Sequence, residues 1–172
     1  AVFDAIEAAL GDLPIIAEDL GELHTAVPVL RDELGLPGMK ILQFAYDGDP
    51  ENDFLPARYP ENCLVYTGTH DNDTVLGWYR SVSPAERIRA RRALRAWGPA
   101  VTIPHRMIEE AWRSRAIVAI TTLQDVLSLG TEARMNIPST PSDNWRWRFG
   151  GSDLTGRAAG WLRRINRKTG RG

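Results

Sequence analysis

The stretch 63–73, CLVYTGTHDND, joins a short apolar run to a cluster of polar side chains. The run 63–67 predicts a buried strand, because a brief and nearly continuous apolar segment fits a sheet that is covered on both faces. The polar residues from Thr69 to Asp73 follow where that strand ends. Polar side chains in this position are typical of parallel α/β folds, whose sites form at the carboxyl ends of the strands.

The same pattern recurs along the chain and predicts four strands, each associated with a helix. The other strands are predicted at 13–17, 39–44 and 116–123, and helices at 1–10, 27–34, 83–97, 104–115 and from 155 onwards. Gly35 is predicted to cap the second helix, and the Ser83–Glu86 capping box to begin the third. Alternation of this kind predicts an α/β fold with a parallel sheet and external helices.

Four such units correspond to half of a (β/α)8 barrel. An open doubly wound sheet is the alternative, but no Gly-rich phosphate loop follows any predicted strand. A half barrel exposes two sheet edges, so we expect the isolated chain to be unstable or to self-associate.

The composition of the 172-residue chain excludes several classes of function. A net charge of −1 argues against nucleic-acid and anionic-membrane partners that are held by bulk charge. Cys63 is the only cysteine, which excludes an internal disulfide and a metal site built on several thiolates. We expect Cys63 to be a small buried hydrophobe in a cytoplasmic protein. No apolar stretch reaches transmembrane length.

Two carboxylates stand at the ends of predicted strands, Glu18 after the first and Asp71 after the third. Glycoside chemistry needs such a pair on either side of an anomeric carbon. The pattern leaves other interpretations open. Glu18 and Asp19 are also typical of an acidic pair at a helix N-terminus, 71–74 of an Asx-rich turn that caps the next helix, and His70 of a hydrogen-bonded structural residue.

Four motifs occur in one order along the chain: IAEDLG at 16–21, GMKILQF at 38–44, YTGTHDNDT at 66–74 with GWY at 77–79, and RMN at 134–136 followed by NWRWR at 144–148. On these motifs the chain resembles, over essentially its whole length, the 4-alpha-glucanotransferases of glycoside hydrolase family 77, the amylomaltases or disproportionating enzymes. The resemblance implies that residues 1–172 are the C-terminal portion of a (β/α)8 catalytic barrel, strands five to eight with their helices. It also implies retaining transfer of α-1,4-glucan segments to glucose or maltooligosaccharide acceptors, without metal or organic cofactor.

The resemblance assigns roles to individual residues. Glu18 matches the general acid/base, Asp71 the carboxylate that stabilises the transition state, and His70 a histidine that hydrogen-bonds the sugar at the cleavage subsite. Further sugar contacts are expected from other residues of these motifs and of the long 45–62 loop, namely Tyr59, Asn72, Asn136 and Trp145. The sequence departs from the family pattern at Ala57 and Arg58, where the family has His and Asn, and at Ser139, where Gly is frequent.

The family's nucleophile is an Asp on the strand before that of Glu18, and neither Asp4 nor Asp12 matches its motif. We therefore expect the nucleophile to lie upstream of residue 1 and the chain to be inactive alone. Its expected partners are α-1,4-glucan and maltooligosaccharide substrates and the remainder of its own barrel. The alternative is a non-catalytic glucan-binding or pseudo-enzyme fragment. A hydrolytic α-amylase relative is disfavoured by the NWRWR motif.

Two predictions concern residues outside the motifs. Trp78, Trp97, Trp112 and Trp161 are expected in core or interface packing, whereas Trp145 and Trp147 are expected at the site. The basic tail 163–171 is expected to be a solvated helix end, where cations are favoured by the helix dipole.

Overall fold

The computed structural model describes residues 2–21 and 24–171 and has an α/β fold. In this part of the chain the helices are α1 (Val2–Leu10), α2 (Ala26–Glu33), α3 (Val75–Ser81), α4 (Pro84–Ala93), α5 (Ile103–Arg113), α6 (Leu123–Val126) and α7 (Gly156–Thr169). The strands are β1 (Gly38–Ile41), β2 (Cys63–Tyr66) and β3 (Val118–Ile120), and short 3-10 helices cover Leu42–Tyr46, Pro56–Arg58, Ala100–Thr102, Thr131–Ala133 and Gly151–Asp153. The chain forms two compact units, 1–39 and 40–172.

The first unit contains the two N-terminal helices that the apolar spacing predicts. The helix α1 ends at Gly11, which has φ +76 and donates its N–H to Glu7 O at 2.8 Å. The helix α2 ends at Gly35, as predicted, with φ +65 and its N–H donated to Asp32 O at 3.0 Å. Glycine is favoured at both positions because a left-handed conformation after a helix satisfies its last carbonyls without a Cβ clash.

The strand predicted at 13–17 is wrong. Ile15 N–H turns back to Leu13 O at 2.8 Å, and Ala17 N–H donates to Pro37 O at 3.0 Å, so no ladder forms along this run within the described residues. An apolar run predicts burial, but a strand also needs a neighbour that pairs with successive residues. The structure therefore has three strands in its described part rather than the four predicted.

The sheet has the order β1-β2-β3, and β2 pairs with β3 in parallel. The register places Leu64, Val65 and Tyr66 opposite Val118, Ala119 and Ile120. Both strands are shorter than predicted, and β1 turns into a 3-10 helix after Ile41. Parallel pairing aligns the carboxyl ends of β2 and β3 at one edge, which is where the polar loops begin.

The helices that follow β2 begin at capping residues. Thr74 accepts the N–H of Gly77 through its side chain and begins α3, a short helix that precedes the helix predicted at 83–97. Ser83 accepts the N–H of Glu86 at 3.2 Å and begins α4 with Pro84 in the first turn, as predicted. Each cap satisfies one of the helix's unpaired N–H groups and so favours a helix start at that residue.

The main apolar core lies in the second unit, around β2 and α5. It contains fully buried Val65, Ile103 and Met107, together with Cys63, which is buried as predicted. A smaller cluster joins Ile108 of α5 to Ile165 of α7, with Trp112 and Trp161 packed against it. The amphipathic helix α5 therefore packs against both clusters and connects them.

Two side chains differ from the packing predicted for them. Trp97 is 81% exposed, because Leu94 and Ala96 occupy the buried positions after α4 and leave Trp97 on the turn. Trp97 therefore lies outside the core, and the interface alternative stays a prediction. Arg171 is only partly exposed, since its guanidinium donates to Trp112 O at 2.7 Å, to Ser114 O at 2.8 Å and to Ala116 O at 2.6 Å. Gly170, with φ +72, turns the chain out of α7 so that Arg171 reaches these carbonyls.

Candidate active site

The loop between β2 and α3 carries the first candidate residues and begins at a buried threonine. Thr67 is fully buried, and its N–H donates to Ile120 O at 3.2 Å, which extends the β2–β3 pairing. The N–H and the hydroxyl of Thr69 then donate to Asn72 Oδ1 at 2.8 and 2.9 Å. The predicted sugar ligand Asn72 therefore uses its side-chain oxygen to form the turn of this loop.

His70 and Asp71 lie within this loop, and their side chains are 52% and 45% exposed. His70 Nε2 lies 3.3 Å from Asp71 Oδ1. The rings of His70 and Trp145 are 5.2 Å apart between centroids and tilted by 33°. Half-exposed polar groups can hydrogen-bond the hydroxyls of a sugar, and an indole beside them can pack against its apolar face.

The segment 134–136 holds this loop through hydrogen bonds between residues that are far apart in sequence. Asn136 Nδ2 donates to Asp71 Oδ1 at 2.6 Å, and Asn136 N–H donates to His70 O at 3.1 Å. Arg134 Nη2 donates to Asp71 O at 2.7 Å, and its Nε donates to Asn136 O at 2.8 Å. The structure thus brings His70, Asp71 and Asn136 together, and Arg134 orients both segments.

Trp145 reaches His70 through an unusual backbone conformation. Its N–H donates to Met135 O at 2.6 Å, and its φ is +62, in the left-handed region that bulky residues rarely adopt. Such conformations persist where surrounding contacts impose them, and they cluster at functional sites. Ser139 also has a positive φ, of +64, at the position where the resemblance expects glycine.

The stretch 71–74 serves two purposes that the sequence analysis treated as alternatives. Asn72 forms the loop's turn and Thr74 caps α3, as the capping interpretation expects. The Asp71 carboxylate takes no part in that cap and instead accepts the amide of Asn136. One short motif therefore both starts a helix and presents a carboxylate.

Glu18 and Asp19, in the first unit, have different environments. The Asp19 side chain is 5% exposed, and it accepts Met39 N–H at 2.7 Å and the Arg31 guanidinium. A Cβ on Gly38 would overlap the Asp19 carboxylate, so a larger residue there would displace the Asp19–Arg31 ion pair. Glu18 is exposed. The interpretation as an acidic pair at a helix N-terminus is wrong, because α2 begins only at Ala26.

Glu18 belongs to the first unit and Asp71 to the second. The expectation that Glu18 and Asp71 lie on either side of one anomeric carbon stays a prediction. What the structure gives for each is its own environment: an exposed Glu18 beside an anchored Asp19, and a half-exposed Asp71 held by Asn136.

Tyr59 lies in the apolar core and is 1% exposed. Its hydroxyl has no hydrogen-bond partner among the described residues, and burial raises the pKa of this phenol. The sugar contact expected from Tyr59 stays a prediction, and this burial weighs against it. Arg58, which departs from the family pattern, ends the 3-10 helix before Tyr59 and donates to Glu51 Oε2 at 2.9 Å on the surface of the 45–62 loop.

Two polar residues that support the site, Asp125 and Gln43, were not among the predicted ones. Asp125 is buried behind the loop, and burial raises the pKa of its carboxyl, while hydrogen bonds from Thr67 and Val75 act in the opposite direction. Gln43 donates to Asp73 O at 2.8 Å, next to Gly68, where a Cβ would overlap the Gln43 amide. Their signal in the sequence is a polar residue within an apolar run, at 39–44 and 123–127.

Residues 2–21 and 24–171 contain neither a candidate metal cluster nor a membrane-spanning helix. In that part of the chain no group of three or more His, Cys, Asp and Glu side chains is arranged to hold a metal ion. Within the same residues, no helix combines the length and the apolar character needed to span a bilayer.

Comparison with known proteins gives consistent matches. The sequence profile of the family described as 4-alpha-glucanotransferase matches residues 1–153. A 4-alpha-glucanotransferase of Thermus thermophilus is 45% identical over 176 residues, covering 99% of this chain and 35% of that protein. A chloroplastic/amyloplastic 4-alpha-glucanotransferase of Solanum tuberosum is 45% identical over 148 residues, covering 86% of this chain and 26% of that protein.

A solved structure is similar over the same extent. The amylomaltase of Streptococcus agalactiae, in complex with acarbose, superposes with a TM-score of 0.92 at 34% identity, covering 99% of this chain and 34% of that one. The chain thus spans between about a quarter and about a third of the length of these relatives.

Proposed function

The chain belongs to the 4-alpha-glucanotransferase family, and from this premise we propose that it supplies part of the active site of such an enzyme. The observation that carries the proposal is the constellation of His70, Asp71, Asn136 and Trp145 at the carboxyl end of β2. The proposed substrates are α-1,4-glucans and maltooligosaccharides, with glucose or a maltooligosaccharide as acceptor.

The proposed place of residues 1–172 is the C-terminal part of a (β/α)8 barrel, to which β1, β2 and β3 contribute. The parallel pairing of β2 with β3 and the position of the polar loops after these strands support it. The remainder of the barrel is then the partner that completes the sheet, and it carries the Asp nucleophile. The exposed side chains of β3, Val118 and Ile120, would lie at this junction.

The proposed reaction is a double displacement with retention at the anomeric carbon. Glu18 gives its proton to the leaving glycosidic oxygen while the Asp nucleophile bonds to the anomeric carbon. In the second step Glu18 takes the proton of the incoming sugar hydroxyl, whose oxygen displaces the carboxylate. Carboxyl groups alone carry these proton and bond changes, so the proposal involves no cofactor.

Asp71 would act on the sugar by accepting its hydroxyl protons in hydrogen bonds. Asn136 binds Asp71 Oδ1 at 2.6 Å and Arg134 binds the backbone oxygen of the same residue, so the carboxylate is held in one orientation. Oδ2, which accepts no hydrogen bond from the described residues, would then bind the sugar. His70 would donate to a neighbouring sugar hydroxyl, and Trp145 would pack on the sugar's apolar face.

The test compares products from maltotriose for the 172-residue chain alone and for the chain combined with the remainder of its barrel. We expect no turnover from the chain alone, and glucose plus longer maltooligosaccharides from the combination. Acarbose, the compound bound in the Streptococcus agalactiae structure, serves as the binding probe for the chain alone.

Matched variants identify the residues responsible. Asp71→Asn should abolish transfer by the combination, because the neutral amide loses the charge that stabilises an oxocarbenium-like transition state. Asp153→Asn changes an aspartate that only accepts a local backbone N–H, at 2.7 Å, and should leave transfer unchanged. Transfer by the chain alone would contradict the divided site. Acarbose binding without transfer, both by the chain alone and by the combination, would favour the glucan-binding alternative.

A further inference from the structure

The loop that carries His70 and Asp71 is attached at both ends to one buried carboxylate. Thr67, at the end of β2, donates its hydroxyl proton to Asp125 Oδ2 at 2.7 Å. Val75, at the start of α3, donates its N–H to Asp125 Oδ1 at 2.8 Å. Thr67 and Val75 enclose residues 68–74, so the two oxygens of Asp125 set the distance between the ends of the loop.

The surroundings of Asp125 are closed to solvent. Asp125 is 1% exposed, and Thr67 and Val75 are fully buried. Its own N–H donates to Thr122 Oγ1 at 3.2 Å, which makes Asp125 part of the first turn of α6. A group fixed in this way cannot move without disturbing a helix, so it is a rigid reference point for the loop.

The hydroxyl groups around Asp125 all donate toward its carboxylate. Thr67 has a single hydroxyl proton and gives it to Asp125, so the 3.1 Å contact between the Thr67 and Thr121 hydroxyls must be donated by Thr121. The relay Thr121 to Thr67 to Asp125 ends on an acceptor, and Val75 N–H requires a second acceptor on the same side chain. An ionised carboxylate satisfies both donors, whereas an amide side chain presents one acceptor and one donor.

We propose that Asp125 is a positioning residue for the candidate active site, which holds the His70–Asp71 loop in register with Asn136 by binding both ends of that loop. The proposal rests on the proposed function for the role of the loop in sugar binding. The hydrogen bonds from Asp125 to both ends of the loop are independent of that function. Other contacts touch the loop between its ends, including Gln43 to Asp73 O and Arg134 to Asp71 O. Among the described residues, Asp125 is the one whose side chain binds both Thr67 and Val75.

The test is Asp125→Asn in the 172-residue chain, measured by hydrogen–deuterium exchange and by acarbose binding. The amide in place of the carboxylate sets a donor against Thr67 or Val75. We expect exchange at the amides of residues 69–75, and at Asn136, to be faster by about tenfold or more, and acarbose binding to be weaker by a similar factor. Exchange within α7, in another part of the same unit, should change much less.

Two further variants keep the test decisive. Thr67→Val removes one of the two end contacts without changing charge and should produce a smaller change in the same amides, which answers the question if Asp125→Asn does not fold. Ser83→Ala removes the cap of α4, which has no bond to the loop, and should lower stability without affecting the loop or acarbose. Unchanged loop exchange and acarbose affinity in Asp125→Asn would overturn the proposal. So would faster exchange spread evenly over α5, α7 and the loop.

The exchange measurement separates this proposal from the proposed function. If the unaltered chain binds no acarbose, alone or with the remainder of its barrel, the proposed function fails. Faster exchange confined to 69–75 in Asp125→Asn would still support the positioning role, and its absence would reject it.

Discussion

Different interactions stabilise the interior of each of the two units. In the first unit neither α1 nor α2, both lying wholly in the described residues, contains a buried side chain, and the buried Asp19 links Arg31 to Met39. In the second unit an apolar core surrounds β2 and α5. One candidate carboxylate, Glu18, therefore lies beside a polar anchor outside any apolar core, whereas the loop of Asp71 begins on a strand within a packed core.

Each unit also contains one buried aspartate, and the two are compensated differently. Asp19 is paired with the guanidinium of Arg31, so a cation balances its charge. Asp125 accepts only hydroxyl and amide protons and has Asp73 as a charged neighbour, which raises its pKa further. Burial without a cation makes the ionised form of Asp125 costly, and this gives the two anchors different responses to pH.

The largest effect is expected from the core of the second unit. Met107→Ala on α5 should lower the free energy of unfolding by about 2–5 kcal/mol, because a fully buried methionine leaves a cavity. Ile6→Ala on α1 is the matched change in the first unit. Ile6 is only partly buried, so it should cost on the order of 1 kcal/mol. Urea unfolding of both variants measures the difference, and equal losses would contradict the contrast between the units.

The next effect is expected from the polar anchor of the first unit. Asp19→Ala leaves Met39 N–H and the Arg31 guanidinium without their acceptor and should cost about 1–3 kcal/mol. Asp32→Ala is the control, because Asp32 binds the same guanidinium but is 67% exposed. It should cost less than about 1 kcal/mol. Hydrogen exchange across residues 13–39 shows where protection is lost. An equal loss of protection in the two variants would contradict the proposed role of Asp19 as an anchor.

A smaller effect is expected where α7 meets α5. Arg171→Ala removes the donor that binds the carbonyls of Trp112, Ser114 and Ala116 and should cost about 1–2 kcal/mol. Arg167→Ala, on an exposed position of the same helix, should change stability by less than about 0.5 kcal/mol. Thermal unfolding of the two variants compares them. Equal stability of the two variants would support the solvated tail that the sequence predicts for Arg171.

The smallest expected effect is a dependence of the free energy of unfolding on pH. The pKa of Asp125 is higher in the folded chain than in the unfolded chain, so the folded state binds more protons between the two values. Its contribution to stability is therefore present below the unfolded pKa of about 3.9 and is lost as pH rises through the folded value. Glu110, whose pKa is also raised by burial, acts in the same direction, whereas Asp47 and Glu132 act in the opposite direction.

The difference between variants isolates Asp125 from these other groups. Urea unfolding at several pH values above about pH 4 should show a flatter decline of stability for Asp125→Asn than for the unaltered chain. Glu110→Gln is the matched control and should remove only its own part of the decline. Parallel curves for Asp125→Asn and the unaltered chain would contradict the raised pKa of this carboxyl.

Local signals predicted most of the helices and the central strand correctly. The cap at Ser83, the glycine at Gly35 and the apolar face of α5 each act within a few residues, so the sequence alone reveals them. The failures share a cause. The run 13–17 has the apolar character of a strand, but pairing depends on a neighbour, and the positions of Trp97 and Arg171 depend on what packs around them.

The sequence by itself determined the family, through four ordered motifs, and the types of elements that carry them. Only the tertiary structure decided that Asn136 donates to Asp71 across 65 residues of sequence, and that Arg134 does so across 63. It also decided that Asp125 binds both ends of the loop. Periodicity and capping follow from neighbouring residues along the chain, whereas these hydrogen bonds form only after the sheet and helices bring distant segments together.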